Sequence, residues 1–314
     1  MAAIVPNGNP VWGMQLPIQS QSTIYAQPWE ASSGPSELAS IARAADRSGA
    51  FYIAVCDHVG IPRPADQTMS TVWYDTVATL GWLGALTEQA HLLSHVYVLP
   101  YRHPLITAKA FATLDHLTGG RAILGVGAGH LQAEFELLGA DFDRRGPAVD
   151  EAIGVIRVAF AEEYPTVGGP GAEVGVGMQP RPSRPGGPPI WVGGSSPAAI
   201  RRAARLGDGW LPQGPPKMGM RAAVELIRTE RAAAGLPERF DLGINCPPIH
   251  LGDPDFEVPE WTMTGSPAEV AEGLRRFRSS GANQFQLRFV ARSASELCDQ
   301  IERFGAEVWP QVFA

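Results

Sequence analysis

Short apolar runs alternate with amphipathic stretches along nearly the whole chain. The apolar runs are typical of parallel strands buried on both faces, and they fall at residues 11–18, 51–56, 91–99, 121–126, 190–192, 209–212, 242–246 and 284–289. Between them, helical spacing of apolar residues, Pro or Ser at helix starts and Gly at helix ends predict helices over 36–48, 75–88, 104–117, 131–138 with 147–162, 197–206, 220–234, 266–281 and 295–312.

Eight strands that alternate with eight helices predict an α/β fold of parallel βαβ units, closed as a (β/α)8 TIM barrel. At 314 residues the chain has the length of one such barrel, so we expect a single domain over residues 1–314. A doubly wound open sheet is the competing arrangement, and both the strand count and the length favour the barrel.

Residues 165–189, between predicted strands four and five, interrupt the alternation. Gly and Pro occupy 14 of these 25 positions, a composition that excludes a regular helix or a central strand. The alternation resumes at residue 190. The segment is therefore predicted to be an excursion within the barrel and not a domain boundary.

The net charge and the cysteine content indicate which partners the protein is not built to bind and which cellular compartment suits it. The net charge is −7 and the isoelectric point is near 5.5, and no basic block could neutralise nucleic-acid phosphates or an anionic membrane. Three widely spaced cysteines form no disulfide framework, which favours a reducing compartment. The N-terminus lacks the pattern of a secretory leader and no run could span a membrane, so a cytoplasmic location is expected.

The residues after each predicted strand are the place to seek function, because barrel active sites form at the carboxyl ends of the strands. His58 follows the second strand and is preceded by Asp57. A histidine there can act as an acid or a base near neutral pH. The alternative is that Asp57 and His58 only hydrogen-bond neighbouring loops, and the residues alone leave both interpretations open.

Two glycine-rich loops follow the fourth and fifth strands. In GVGAG, Gly125, Gly127 and Gly129 remove side chains where a flat or anionic ligand could approach the backbone. The alternative is a tight strand-to-helix turn only. In GGSSP, the sequence of residues 193–197, free backbone amides, two hydroxyls and a Pro-initiated helix favour an anion site. The alternative there is an ordinary capped helix start.

Several other chemistries are not indicated. His91 and His95 lie four apart on a strand with no third ligand at metal-binding spacing, so no metal site is expected. The chain contains neither a GxSxG nucleophile elbow nor a phosphate-binding P-loop. GVGAGHLQAE also lacks the acidic residue at a following strand end that a dinucleotide-binding fold uses.

Two long motifs resemble the bacterial luciferase-like family. One is LTGGRAILGVGAG with the following E-x-x-x-L-G-x-x-F-x-x-R-G, and the other is PIWVGGSSPAAIRRAARLGDGWLP. DHVGIPRP and VLPYRHP extend the resemblance over nearly the whole chain. The resemblance implies a (β/α)8 barrel that binds flavin mononucleotide (FMN) or the deazaflavin coenzyme F420, and the pattern most resembles the F420-dependent actinobacterial branch.

The resemblance also implies roles for individual residues. His58 is implied as the catalytic histidine, Ser94-His95 as the position of a non-proline cis peptide behind the cofactor ring, and the residues of the two glycine-rich loops as cofactor-binding. The cofactor-binding positions implied in this way are Ser94, His95, Gly127, Ala128, Gly129, His130, Gly193, Gly194, Ser195 and Ser196. His95 replaces a small aliphatic residue of the family, and His130 stands where relatives often carry Trp or Glu.

Three activities follow as expectations. The first is hydride transfer between coenzyme F420 and a small organic substrate, with His58 moving the accompanying proton and His130 or His103 as alternatives. The second is an FMN-dependent monooxygenase supplied by a separate reductase, whose dry pocket could use Trp12, Trp73 or Trp261, although these could equally be core. The third is a cofactor-binding protein without turnover. The resemblance also implies a homodimer.

Overall fold

The strands close into an eight-stranded parallel barrel in this computed structural model, which describes residues 3–8, 10–166 and 175–313. The thirteen strands of the described residues are β1 (Val11–Gln15), β2 (Ser20–Ser22), β3 (Tyr52–Val55), β4 (Met69–Trp73), β5 (His91–Ser94), β6 (Tyr97–Val98), β7 (Ala122–Gly127), β8 (Ile190–Val192), β9 (Gly209–Trp210), β10 (Asp241–Asn245), β11 (Ile249–Leu251), β12 (Met263–Gly265) and β13 (Gln284–Leu287). The barrel order is β1-β3-β5-β7-β8-β9-β10-β13, and β13 pairs with β1 to close the ring. All of these pairs are parallel, so the predicted barrel is confirmed and the open sheet is wrong.

Helices pack around the barrel in the predicted alternation. They are α1 (Pro35–Arg47), α2 (Thr76–Gly84), α3 (Pro104–Leu117), α4 (Gln132–Leu138), α5 (Arg145–Ala161), α6 (Pro197–Leu206), α7 (Met220–Ala233), α8 (Pro267–Arg278) and α9 (Ala294–Arg303). The predicted closing helix over 295–312 is too long. After α9 the backbone continues as a π turn over Phe304–Val308 and a 3-10 turn over Trp309–Val312. Pro310, in the second turn, lacks the amide hydrogen that an α-helix would need there.

Alternate residues of the barrel strands form two separate apolar layers, as the period of two in a strand requires. Tyr52, Leu93, Ile123 and Trp191 point into the barrel interior and are almost fully buried. Tyr52 and Trp191 meet there edge to face, with ring centroids 5.6 Å apart. The N-terminal segment belongs to the same inner cluster through Val5.

The second layer lies between the barrel and the helices. It contains the outward-facing strand residues, such as Ile53 and Leu124, and the apolar faces of the helices. Trp12 is fully buried in this layer, in edge contact with Phe304. Trp12 is thus a core residue, which removes it from the aromatics expected at a monooxygenase pocket.

Two small strand pairs outside the barrel were not predicted. β2 pairs antiparallel with β4, and β11 pairs parallel with β12. These strands are only three to five residues long, which is too short for a hydrophobic period to mark them. They lie in the loops that follow the first, second and seventh barrel strands, at the carboxyl end of the barrel.

The predicted third strand, residues 91–99, is broken into β5 and β6 by a non-proline cis peptide between His95 and Val96. The expected position of this bond, Ser94-His95, is therefore wrong by one residue. The predicted Gly/Pro-rich excursion lies partly outside the described residues, at 167–174. Its described parts, 165–166 and 175–189, contain no helix or strand. None of the helices in the described residues is long and apolar enough to cross a lipid bilayer.

Candidate active site

A cavity of about 610 Å³ opens at the carboxyl ends of the barrel strands. It is lined by residues from the loops that follow β1, β3, β5, β7, β8 and β13, including nine of the ten residues that the resemblance implied as cofactor-binding. Those nine are His95, Gly127, Ala128, Gly129, His130, Gly193, Gly194, Ser195 and Ser196. His58 lines the same cavity.

His58 forms a buried pair with Glu134. The Nδ1 atom of His58 lies 2.7 Å from Oε2 of Glu134, and the histidine side chain is 9% exposed while the glutamate side chain is fully buried. An ionised carboxylate can only accept hydrogen bonds, so Nδ1 carries a proton, and in the neutral imidazole Nε2 then has the lone pair. This pair is what orients the histidine, and Asp57 takes no part in it.

Glu134 accepts four hydrogen bonds and so uses the acceptor capacity of an ionised carboxylate in full. Oε2 accepts from His58 Nδ1 and from the Tyr101 hydroxyl at 2.8 Å, and Oε1 accepts from the backbone amides of Val59 and Gly60. Burial alone would raise the pKa of Glu134, but the bonds and the charge interaction with His58 outweigh it and hold that pKa below its usual value. The pKa of Tyr101 is raised by burial and by the bond to Glu134.

Two aromatic rings flank His58. Trp73 lies in edge contact at a centroid distance of 4.4 Å, and His130 lies perpendicular at 5.7 Å. Burial, together with the nearby His58, lowers the pKa of His130, so this ring is biased towards its neutral form. Together with His95, three imidazoles line the cavity, and among the described residues His58 is the one paired with a carboxylate.

Asp57 serves the scaffold that holds this loop. Its two oxygens accept from both terminal nitrogens of Arg102 at 2.7 Å, and one also accepts from the backbone amide of Val98. Its side chain is 2% exposed and that of Arg102 is 16% exposed. The sequence left open whether Asp57 and His58 only hydrogen-bond neighbouring loops or act in the site. Asp57 holds neighbouring segments together, whereas His58 faces the cavity.

The glycines after the barrel strands make room for protein groups around the cis peptide. A Cβ atom on Gly127 would lie 2.5 Å from Val96 Cγ2, and one on Gly193 would lie 2.4 Å from Val96 Cγ1. A Cβ on Gly125 would meet the carbonyl oxygen of Ser94 at 1.9 Å. Gly127 and Gly193 therefore form a socket for Val96, which itself lines the cavity. The sequence analysis predicted that Gly125 and Gly127 leave room for a ligand or for a tight turn, and the structure shows that they also leave room for Val96 and for the Ser94 carbonyl.

Ser94 does not line the cavity. Its hydroxyl donates to the carbonyl of Gly125 and accepts from the amide of the same residue, which bridges β5 and β7. His95 lines the cavity but is almost fully buried, with Nε2 3.1 Å from the carbonyl oxygen of Leu211. Burial lowers the pKa of His95 to about 4, so this imidazole is neutral near pH 7 and donates to Leu211 from Nε2.

One wall of the cavity has the groups that an oxyanion requires. Gly193 to Ser196 precede α6, and the Ser196 hydroxyl caps that helix by accepting from the amide of Ala199. Arg145 and Arg202 line the same cavity. Arg202 is paired with Asp150, whereas Arg145 has no carboxylate partner among the described residues. The amide of Gly193 donates to the carbonyl of Val126, so the amides available at this helix start are those that follow Gly193. Amides at a helix start and a guanidinium in the same cavity suit a phosphate.

Sequence reasoning missed Glu134, Arg145 and Arg202 as site residues. Glu134 and Arg145 both belong to the E-x-x-x-L-G-x-x-F-x-x-R-G pattern, so the sequence did single them out. The pattern could not show that their side chains point into the cavity. A side chain in the first turn of α4 reaches the second strand's loop only because the barrel brings them together. Among the described residues, no group of three or more His, Cys, Asp or Glu side chains is placed to hold a metal ion.

The family model described as luciferase-like monooxygenase matches residues 12–258. The chain belongs to this family. The luciferase-like family is one of oxidoreductases and monooxygenases built on the barrel described above. The resemblance found in the two long motifs is thereby confirmed at the level of the family.

The proteins to which this luciferase-like chain is similar include F420-dependent oxidoreductases and a monooxygenase. An F420-dependent glucose-6-phosphate dehydrogenase from Nakamurella multipartita is 34% identical over 185 residues, which is 57% of this chain and 52% of that protein. The structure of a monooxygenase from Streptomyces bottropensis matches with a TM-score of 0.75 at 22% identity, covering 96% of this chain and 99% of that one. A coenzyme F420 dependent tetrahydromethanopterin reductase from Methanopyrus kandleri matches with a TM-score of 0.73 at 20% identity, covering 97% and 100%. At these identities the two structures establish the fold alone.

Proposed function

We propose that this luciferase-like protein is an oxidoreductase that transfers a hydride between coenzyme F420 and a small organic substrate, with His58 as the proton-transfer residue. The observation that carries the proposal is the buried His58–Glu134 pair on the wall of a cavity that is also lined by the start of α6 and by arginine side chains. Hydride transfer to or from a carbonyl or alcohol needs a partner that moves one proton, and a carboxylate-oriented imidazole is suited to that task.

The residues present fit a deazaflavin with a phosphate. The amides of Gly194 and Ser195 would hold the phosphate at the start of α6, with Arg145 supplying positive charge. The Val96 side chain, seated against Gly127, would support the flat ring system. The bound deazaflavin would supply hydride chemistry with little reactivity towards oxygen.

His58 would act from its free Nε2 atom. Glu134 holds the proton on Nδ1, so Nε2 is able to accept a proton from a substrate hydroxyl in the oxidative direction and to return it in the reductive direction. The negative charge of Glu134 stabilises the imidazolium that this transfer forms. His130, without a carboxylate bond among the described residues, remains the second candidate for the same role.

The choice of coenzyme F420 over FMN is supported by the F420-dependent relative at 34% identity and by the character of the cavity. A monooxygenase that protects a reactive oxygen adduct is expected to have a dry, apolar pocket. Here side-chain amides, a cysteine and three guanidinium groups line the same cavity as His58. Trp73 does line it, but Trp12 is in the core and Trp261 is 62% exposed.

A fluorescence titration with coenzyme F420, and a separate one with FMN, tests the proposal. We expect saturable binding of coenzyme F420 at micromolar or lower concentration and weaker binding of FMN. Preferential binding of FMN, with oxygen consumption when reduced flavin is supplied, would refute the proposal in favour of a monooxygenase that depends on a separate reductase. Tight binding of coenzyme F420 with no turnover on any alcohol, aldehyde or ketone tested would identify a binding protein instead.

The His58→Gln variant tests the role of the histidine. We expect unchanged affinity for coenzyme F420 and a turnover reduced roughly 100-fold to 10,000-fold, the usual contribution of a general acid or base. His103→Gln is the control, since His103 caps α3 through a bond to Leu105 and does not line the cavity. Unchanged turnover in His58→Gln would exclude His58 from proton transfer, and the same measurement on His130→Gln would then decide the second candidate.

A further inference from the structure

Arg288 is a half-buried cation that the proposed chemistry does not use. It directly follows β13, the last barrel strand, and its guanidinium lines the main cavity. Its one hydrogen bond among the described residues is donated by Nη2 to the amide oxygen of Gln15. No carboxylate oxygen of the described residues lies within ion-pair distance. A guanidinium stays protonated at any pH at which proteins fold, so the site holds an unpaired positive charge.

The groups around Arg288 do not neutralise it. Tyr25 covers one face of the guanidinium, with Cζ 4.0 Å from the ring centroid. Glu30 contributes a charge interaction, but its carboxylate oxygens accept from the backbone amides of Ile18 and Gln27 and do not contact Arg288. Burial raises the pKa of the Cys56 thiol, so Cys56 is neutral near pH 7. A charge that is partly withdrawn from solvent, as here, is stabilised when an anion accompanies it.

An apolar groove of about 380 Å³ begins where the main cavity ends. The two share Ile24, Tyr25 and Arg288. The apolar residues of the groove come from the loops after β1 and β10 and from the end of β13, and include Ile24, Trp29, Pro248, Phe256, Trp261 and Phe289. Ile24 is 73% exposed and Trp261 is 62% exposed, so large apolar side chains face solvent along this groove.

We infer that Arg288 binds the carboxylate of an amphipathic organic acid whose apolar part lies in the groove formed by Ile24, Phe256 and Trp261. The inference rests on the proposed function in one respect: this acid is the substrate of the same cavity. Within the groove, Arg288 is the residue whose positive charge is available to a substrate carboxylate. The other arginine of the groove, Arg292, is already paired with Asp255 and Glu296.

Two arguments favour a carboxylate over a phosphate as the anion. One guanidinium balances one negative charge, whereas a phosphate monoester carries between one and two near pH 7. The main cavity also has its own phosphate-type site, at Gly193 to Ser196 after β8. In the barrel order β8 is three strands away from β13. The two cationic regions are therefore separate, which allows the cofactor phosphate and the substrate carboxylate to be held at once.

Calorimetric titration with octanoate, 1-octanol and octyl phosphate tests this inference on the protein without cofactor. We expect octanoate to bind at least tenfold more tightly than 1-octanol and more tightly than octyl phosphate. Arg288→Gln should weaken octanoate binding roughly 10-fold to 100-fold, the range of a charge-assisted hydrogen bond. Arg288→Lys should retain part of the affinity, because it keeps the charge and loses the planar fork.

Arg292→Gln is the matched control, since it removes a guanidinium from the same groove whose charge is already balanced. Its affinity for octanoate should stay within about twofold of the native value. Equal binding of octanoate by the native chain and Arg288→Gln would overturn the inference, as would equal affinity for octanoate and 1-octanol. Tighter binding of octyl phosphate would overturn the assignment of a carboxylate.

A fluorescence titration with coenzyme F420 on the same variants separates this inference from the proposed function. Arg288→Gln should bind coenzyme F420 as the native chain does. Loss of coenzyme F420 binding with unchanged octanoate binding would assign Arg288 to the cofactor and overturn the inference while the proposed function stands. Octanoate binding that depends on Arg288, in a chain that binds no coenzyme F420, would sustain the inference and refute the proposed function.

Discussion

The substitution Glu134→Gln should move the proton of His58 from Nδ1 to Nε2, while the new side chain keeps the size and shape of the old one. The backbone amides of Val59 and Gly60 cannot move away, so the single oxygen of the new amide must accept from them. The amide nitrogen then faces Nδ1 of His58 and the hydroxyl of Tyr101 as a donor. His58 can form a bond only if Nδ1 becomes the acceptor, which moves the proton to Nε2.

The cost in stability follows from the number of bonds. Glu134 accepts four charge-assisted hydrogen bonds, and each should lose about 1 kcal/mol when it becomes neutral, since charge-assisted bonds contribute about 1.5–3 and neutral bonds about 0.5–1.5 kcal/mol. A realistic total is about 2–4 kcal/mol, after relaxation and rotation of the Tyr101 hydroxyl. At roughly 2–3 °C per kcal/mol for a chain of this size, the melting temperature should fall by roughly 4–12 °C.

The stability difference should depend on pH with a defined sign. The pKa of Glu134 is lowered in the folded chain from its usual value of 4.5. Its stabilising contribution is therefore fully present above pH 4.5 and is lost as the pH falls through the folded pKa. The melting temperatures of the native chain and Glu134→Gln should differ most near pH 7 and converge in acid. Glu136→Gln, on the exposed face of the same helix, is the control and should change the melting temperature by less than about 2 °C.

Long-range nitrogen–proton correlation spectra of histidine-labelled protein read the tautomer directly. The chain has seven histidines, and the signals of His58 are identified by their loss in His58→Gln. We expect the Nδ1–H tautomer in the native chain and the Nε2–H tautomer in Glu134→Gln. The same tautomer in both proteins would refute the reasoning, because it would show that Glu134 does not determine where the proton resides. Turnover should fall in Glu134→Gln together with the loss of the free Nε2 lone pair.

Two further substitutions test the scaffold around the site. Asp57→Asn should lower the free energy of unfolding, measured by chemical denaturation, by about 3–5 kcal/mol, because it leaves the guanidinium of Arg102 buried without its partner. The control is Glu302→Gln, which changes an exposed ion pair and should cost less than about 1 kcal/mol in the same assay. Equal effects of the two substitutions would contradict this account. Gly127→Ala should cost about 1–3 kcal/mol and weaken coenzyme F420 binding, because its methyl group would overlap the side chain at the cis peptide. Gly154→Ala, in an open position within α5, should be neutral or stabilising by up to about 1 kcal/mol, so a loss of stability there would show that glycine replacement is harmful for some other reason.

The barrel architecture could be predicted from the local pattern of apolar and polar residues. Buried strands and amphipathic helices have distinct periods, and eight repeats over the length of one barrel leave few topologies. The helix starts were accurate where a chemical signal marks them, as at Pro104, Pro197 and Pro267, because proline fits only the first turn. The candidate site could be located in outline for a related reason: the carboxyl ends of parallel strands meet at one face of the barrel.

Pairings across the chain were decided only by the tertiary structure. His58 and Glu134 are 76 residues apart, and Asp57, which lies next to His58 in the sequence, pairs instead with Arg102. Neighbouring positions on a strand end point in different directions, so adjacency could not show which carboxylate orients the imidazole. The socket for Val96 likewise exists only because strands β5, β7 and β8 converge, and that convergence gives Gly127 and Gly193 their role.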